Sequence, residues 1–246
     1  MYRLGRHVEH DPRSRNFPAP TAPKQVSVLW GHHGPVLDQG QIGSCTGNAL
    51  ADCINTDYFA ACRPNGYLTE NDALELYKLA TRLDNVPGTY PPDDTGSSGL
   101  AVCKAGKQLG YLSSYRHAFG FDHFCAALQI QPVIVGTDWT ADMFDPDSKG
   151  FVKPTGQVEG GHEYLALGID YTAEVLTFLN SWSDGWGDKG RFYMTFADFE
   201  KLLAAQGDVC APVAAVAPQP SPPLAGQAIS GTFTGTLTGT FLPETA

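Results

Sequence analysis

Clustered positive charge is missing from this sequence. Sixteen Lys and Arg stand against 26 Asp and Glu, for a formal net charge of −10, and no basic run of five or more occurs. Phosphate backbones are held by grouped Lys and Arg, so nucleic acid is not an expected partner. Long apolar runs are missing too. No uninterrupted stretch approaches the roughly 18 residues a membrane span needs, so no membrane partner is expected. The opening Met1-Tyr2-Arg3-Leu4-Gly5-Arg6-His7 lacks the apolar core of a secretion signal and runs into His10-Asp11-Pro12-Arg13. A cytoplasmic location is favoured on that ground, the compartment being otherwise open. Six cysteines are present without one Cys-x-x-Cys pair, so structural zinc is not expected, and nothing calls for another metal or a cofactor.

What is present divides the chain. Its 246 residues, 42% hydrophobic, suffice for one large core or two small ones. Residues 1–23 hold Pro12, Pro18, Pro20 and Pro23, too closely spaced for a helix, and are expected as an extended arm, wrapped on the surface or disordered. Residues 24–213 read as the compact domain. Residues 214–226, with Pro218, Pro220, Pro222 and Pro223, read as an extended linker. Residues 227–246 repeat Gly-Thr-x-Thr so that Phe233, Leu237 and Phe241 share one strand face; either a flexible tail or a strand added to a partner's sheet edge fits that pattern.

Four short segments carry the chemistry. Gly40, Gly43 and Ser44 make a tight turn into Cys45, and apolar spacing from Thr46 to Ala61 predicts a helix. A thiol at a helix N-terminus is expected to favour its thiolate. Gln39, six positions upstream, can aim an amide at an oxyanion beside the Cys45 N–H. Taken alone, the segment reads equally well as a glycine turn leading into a core helix with a buried cysteine. His162 follows Gly160-Gly161 and opens the strand-like run Glu163–Ile169, a rigid mount for an imidazole. The other six histidines sit among polar or turn residues. Val175–Leu179 reads as a buried strand ending at Asn180, whose amide can orient an imidazole, and Trp182 can cover that bond from water. Cysteine nucleophile, base, orienter and shield together point to a thiol hydrolase. Setting Cys45 aside as a free thiol leaves five cysteines, an odd set, so a reduced interior is expected, with Cys103 a small apolar filler.

The order Gln39, Cys45, His162, Asn180 and the stretch Leu179-Asn180-Ser181-Trp182-Ser183-Asp184-Gly185-Trp186-Gly187-Asp188-Lys189-Gly190 resemble the papain-like cysteine peptidases over about residues 24–212. The segment Gln131-Pro132-Val133-Ile134-Val135 is similar to a core strand of that family. The resemblance implies an α+β, two-lobe papain-like fold, a helical lobe and an antiparallel β-sheet or barrel lobe with the active-site cleft between them. It implies catalytic roles for Cys45, His162, Asn180 and Gln39 in a cysteine endopeptidase that forms a thioester acyl-enzyme on a polypeptide substrate. Gly96, Ser97, Ser98 and Gly99 would be the rail for substrate backbone, with Gly161 and Trp182 also at the substrate.

Departures from the family pattern are Thr46 where Trp is usual, Ile42 where a disulfide cysteine is usual, Thr95–Gly99 without its cysteine, and Gly161 where many members carry Asp. The long inhibitory propeptide is absent, which leaves any latency to the arm or the tail. A cell-wall peptidase or amidase of the same thiol chemistry, or a catalytically silent binding protein on the same fold, are the alternative readings.

Overall fold

Side chains alternate across a strand, and in this protein the alternation sorts the apolar residues into two cores on opposite faces of one sheet. The computed structural model describes residues 2–63 and 65–215. The expected Thr/Gly tail, and the linker from residue 216 on, lie outside the described residues. In chain order the elements are β1 (Val28–Leu29), α1 (Cys45–Ile54), α2 (Glu70–Ala80), α3 (Gly99–Gln108), β2 (Leu112–His117), α4 (Phe121–Leu128), β3 (Val133–Thr140), β4 (Val158–Asp170), β5 (Val175–Leu179), β6 (Arg191–Thr195), α5 (Phe196–Ala204) and β7 (Asp208–Ala214).

The strands form one antiparallel sheet in the order β2-β7-β3-β4-β5-β6, with β1 also paired to β4. In β3, Val133 and Val135 enter one core while Ile134 enters the other; in β4, Tyr164 and Ala166 oppose Leu165 and Leu167 in the same way. The first core is completed by Phe124 of α4 and Phe199 of α5, the second by Leu50 and Ile54 of α1, Leu76 of α2 and Val102 of α3. Helices α1 to α3 thus form a helical lobe against the sheet, and β4 runs between the cores. Both of its faces are buried from His162 to Ile169.

Local signals account for where the helices begin and end. Helix α2 opens with a capping box, in which the Thr69 N–H donates to the Asp72 carboxylate at 2.7 Å. Helix α1 stops at Ile54, seven residues short of the expected end. There Asn55 exchanges hydrogen bonds with the backbone of Leu68, Nδ2 to the Leu68 carbonyl at 2.9 Å and the Leu68 N–H to Oδ1 at 2.8 Å. An amide side chain that takes distant backbone partners competes with the helix ladder. The rest of the apolar pattern continues as a 3₁₀ turn, Asp57–Cys62.

The arm, expected as wrapped on the surface or disordered, is described over residues 2–23. It is an ordered strap, part of it buried. A 3₁₀ turn at Pro12–Asn16 is capped by Asp11, whose side chain accepts from the Arg13 N–H. Pro18 bridges to His117 of β2, and Arg6 bridges in parallel to Ser97 ahead of α3. Residues 3–7 lie where the helical lobe meets β4.

Candidate active site

Cys45 is the first residue of α1, behind a turn fastened by one carboxylate. Asp94 accepts the Gly43 N–H with both oxygens at 3.1 Å and the Tyr77 hydroxyl at 2.7 Å, and the Tyr77 oxygen in turn accepts the Gly96 N–H at 2.8 Å. The loop ahead of Cys45, α2 and the Gly96–Gly99 segment are therefore tied at one point. Asp94 and Tyr77 were not singled out in the sequence, because neither shows a local pattern.

Strand β4 brings His162 to the same place, and β5 ends at Asn180. His162 Nε2 lies 2.7 Å from Asn180 Oδ1, and both residues are fully buried. Accepting at Oδ1 makes Nε2 the donor, which leaves Nδ1 of the neutral ring to act as an acceptor. Nδ1 is buried with no hydrogen-bond partner among the described residues.

Aromatic rings close over this pair. Trp182 stacks on His162 with centroids 4.8 Å apart, Trp139 meets its edge at 4.9 Å, and Phe144 lies parallel to Trp182 at 5.5 Å. Trp139, unlike Trp182, was missed in the sequence; it sits in a strand that reads simply as core. The loop that carries Trp182 turns back at Gly187, φ +60°, where a Cβ would fall 2.3 Å from the Arg191 carbonyl oxygen. Trp182→Ala is expected to lower stability by about 3–5 kcal/mol, read as a drop in the urea midpoint. An unchanged midpoint would show that the ring is not packed as described.

Gln39 joins the set through backbone pairing of its loop with the Asn180 loop. The Gln39 N–H donates to the Ser181 carbonyl at 3.0 Å, and Oε1 accepts from the Ser181 hydroxyl at 2.9 Å. That leaves Nε2 to donate, and it does so to two carbonyls, Ile42 at 2.9 Å and Arg3 of the arm at 2.8 Å. The amide expected at an oxyanion is occupied by a carbonyl of the chain itself.

The arm meets most of the remaining candidate residues. The Gly161 carbonyl accepts the Gly5 and Arg6 N–H groups at 3.2 and 2.9 Å; the Ser97 carbonyl accepts the His7 N–H at 2.7 Å, and the Ser97 N–H donates to the Gly5 carbonyl at 2.8 Å. A Cβ on Gly96 or Gly161 would fall 2.3 Å from the carbonyl oxygen of Gly5 or Arg6, so the approach needs glycine at both positions. The Ser98 hydroxyl donates to Glu9 and caps α3. Gly99 faces Glu163 and Asp208. Tyr2 lies flat on Trp182, centroids 4.4 Å apart and 5° from parallel.

Burial under the arm sets the charge state. Cys45 is pushed up to about 12 by desolvation, with the Glu163 carboxylate adding to the rise; amide N–H groups of Glu163, Gly5 and Thr46 oppose it without prevailing. His162 is pulled down to about 4 by desolvation, against its bond to Asn180. The helix N-terminus was expected to favour a thiolate. Here the loss of water outweighs that field, and at neutral pH both groups are uncharged. No hydrogen bond joins sulfur and imidazole. The amide of Glu163, the residue next to His162, acts on the sulfur in favour of its anion.

All six cysteines are buried. Among the described residues no cluster of His, Cys, Asp or Glu could hold a metal ion, and no helix is long and apolar enough to cross a membrane.

No protein-family model matches the chain, and no curated protein is significantly similar to it. Solved structures are similar. Xylellain, a cysteine protease from Xylella fastidiosa, is 18% identical with a TM-score of 0.68 over 86% of this chain and 96% of that one. Digestive procathepsin L 3 of the Tenebrio molitor larval midgut is 16% identical with a TM-score of 0.61, over 85% of this chain and 75% of its own. The bromelain protease from Ananas comosus, in complex with the E64 inhibitor, is 16% identical with a TM-score of 0.55, over 78% of this chain and 99% of its own. The chain has the papain-like cysteine protease fold.

Proposed function

We propose that this protein is a cysteine endopeptidase whose own N-terminal arm lies in its substrate groove. The observation that carries the reading is the convergence of Cys45, at the start of α1, with a buried His162–Asn180 pair and the Gln39 amide. Core packing alone does not call for these four polar groups at one spot, and two of the polar atoms there, His162 Nδ1 and the Asn180 amide nitrogen, have no partner among the described residues.

The chemistry follows from the groups. Once water and substrate replace the arm, the Cys45 thiol loses its proton to His162 Nδ1, and Asn180 holds the ring so that this nitrogen faces the sulfur. The thiolate attacks a peptide carbonyl, whose oxyanion takes hydrogen bonds from Gln39 Nε2 and the Cys45 N–H. The C–N bond breaks as His162 delivers its proton to the leaving amine, which leaves a thioester on Cys45. Water then gives a proton to His162 and adds to the thioester; the acid departs and the thiol is restored. Gly161 and Ser97, which bond the arm's backbone, would bond the substrate's in the same way, and Gly96, Ser98, Gly99 and Trp182 would line its path.

An epoxide electrophile tests the nucleophile. With the arm loosened by Tyr2→Ala and Arg6→Ala, mass spectrometry is expected to find a single adduct, on Cys45, that Cys45→Ala removes and Cys103→Ala leaves in place. A folded chain that takes no label at Cys45 between pH 5 and 8 would leave a silent binding protein as the better reading. Cleavage of cross-linked wall peptides in preference to casein would turn the proposal toward a cell-wall peptidase.

A further inference from the structure

Beside His162 two carboxylates share one cation, and the cation belongs to the arm. Glu163 is fully buried, and neither of its oxygens has a hydrogen-bond partner among the described residues. Asp208, at the start of β7, takes the Arg6 guanidinium, with Nε 3.1 Å from Oδ1 and Nη2 in close contact with the same oxygen. Nη2 also donates to the Gln206 carbonyl at 2.7 Å, while Nη1 has no partner among the described residues. No part of the Arg6 side chain reaches solvent.

The space for this group is made by two missing side chains. A Cβ on Gly136 of β3 would fall 2.6 Å from both Arg6 Nε and Glu163 Oε2, and one on Gly99 would fall 2.5 Å from Glu163 Oε1. The result is a slot with acidic walls that opens on the groove between Gly161 and Ser97. Glu163 directly follows His162 in β4, so the slot lies next to the candidate base.

We propose that Glu163, Asp208, Gly136 and Gly99 form a subsite for the guanidinium side chain of a polypeptide substrate, filled here by Arg6. The proposal rests on the peptidase reading, because it takes the groove as a path for peptides. Arg6 is presented as a bound residue would be, its N–H on the Gly161 carbonyl and its neighbours' backbones on Ser97. A simple anchor for the arm would need Asp208 alone. The slot holds a second acid with both oxygens unspent; burial, with Asp208 beside it, pushes Glu163 well above the usual carboxylate range, so it stands as a neutral acid able to accept from a guanidinium. An apolar side chain in the slot would leave the Asp208 carboxylate without its counter-charge and both Glu163 oxygens unpaired. Lysine, a single point donor, could not bond Asp208 and the Gln206 carbonyl from two nitrogens of one planar fork.

The test uses the full chain carrying Tyr2→Ala, Arg6→Ala and Cys45→Ala, so that the slot is vacant and nothing is cleaved. A labelled synthetic peptide spanning Tyr2–Glu9 is titrated with arginine at its fifth position, the place of Arg6, and again with citrulline, its neutral isostere, in that place. The arginine peptide is expected to bind roughly 30-fold tighter or more, as suits a buried charge-assisted contact. Asp208→Asn or Glu163→Gln should shrink that gap. Equal binding, or no binding of either peptide to the folded chain, overturns the subsite, and because both peptides meet one protein the comparison stands even where a pocket variant fails to fold.

A positional library of fluorogenic peptides, offered to the Tyr2→Ala/Arg6→Ala chain, separates this idea from the one beneath it. Cleavage with no position preferring arginine overturns the subsite and keeps the peptidase. No cleavage, with the citrulline gap intact, overturns the peptidase and keeps the cation slot.

Discussion

Replacing Tyr2 and Arg6 together by alanine is expected to raise peptide hydrolysis by the full chain about a hundredfold or more. Breaking a buried ion pair costs about 3–5 kcal/mol, and each 1.4 kcal/mol is about tenfold in an equilibrium. Arg6 and Asp208 form such a pair, and the Tyr2 ring on Trp182 adds a second hold. Apparent activity scales with the fraction of molecules whose groove is open, so weakening the closed form raises it directly.

A second signal reads the same event without a substrate. In the closed chain His162 stays neutral down to about pH 4 and Cys45 up to about pH 12, so alkylation of Cys45 by iodoacetamide should be slow throughout pH 5 to 8, gaining about tenfold per pH unit as the trace of thiolate grows. In the opened chain the thiolate forms within that window, so the rate should be far higher and should level off with pH. Two folded proteins with the same slow labelling, rising in the same way with pH, and the same turnover would show that the arm does not close the site.

His162→Gln, introduced into the opened chain, is expected to lower kcat by about 10² to 10⁴-fold, the range for removing a positioned acid and base. Glutamine comes close to the volume of the ring between Trp139 and Trp182, and its amide can still reach Asn180, so the far-ultraviolet circular dichroism should not change. KM should move little, since the ring reacts and does not grip the peptide. A kcat within a few fold of the parent would take His162 out of the chemistry.

How far the sequence could be read depended on how local each signal was. The turn into Cys45, the glycines ahead of His162 and the strand that stops at Asn180 each lie within a dozen residues, and all were legible. Helices α2 and α3 begin at Thr69 and Ser98, capping residues of a kind that a sequence shows locally. Helix α1 ran too long because its stop is made by Asn55 reaching Leu68, which no spacing reveals. Helices α4 and α5 and strands β2 and β7 went unremarked.

The arm was the largest surprise. Its prolines suggested a surface strap, yet what fixes it is Arg6 meeting Asp208 across 202 positions of chain, a contact with no local trace. Its effect on Cys45 was out of reach for the same reason: the field at a helix start can be inferred from the turn, but the lid that removes water cannot. Glu163 did leave a clue, a carboxylate inside an otherwise apolar strand run.

Storing the sulfur as a sealed, uncharged thiol has one more consequence. Peroxides attack the anion and need access to it, so irreversible over-oxidation falls on exposed thiolates. A molecule that keeps Cys45 dry and protonated until Arg6 lets go can endure an oxidising milieu with its reactive atom intact, and is exposed to that damage only while it is working.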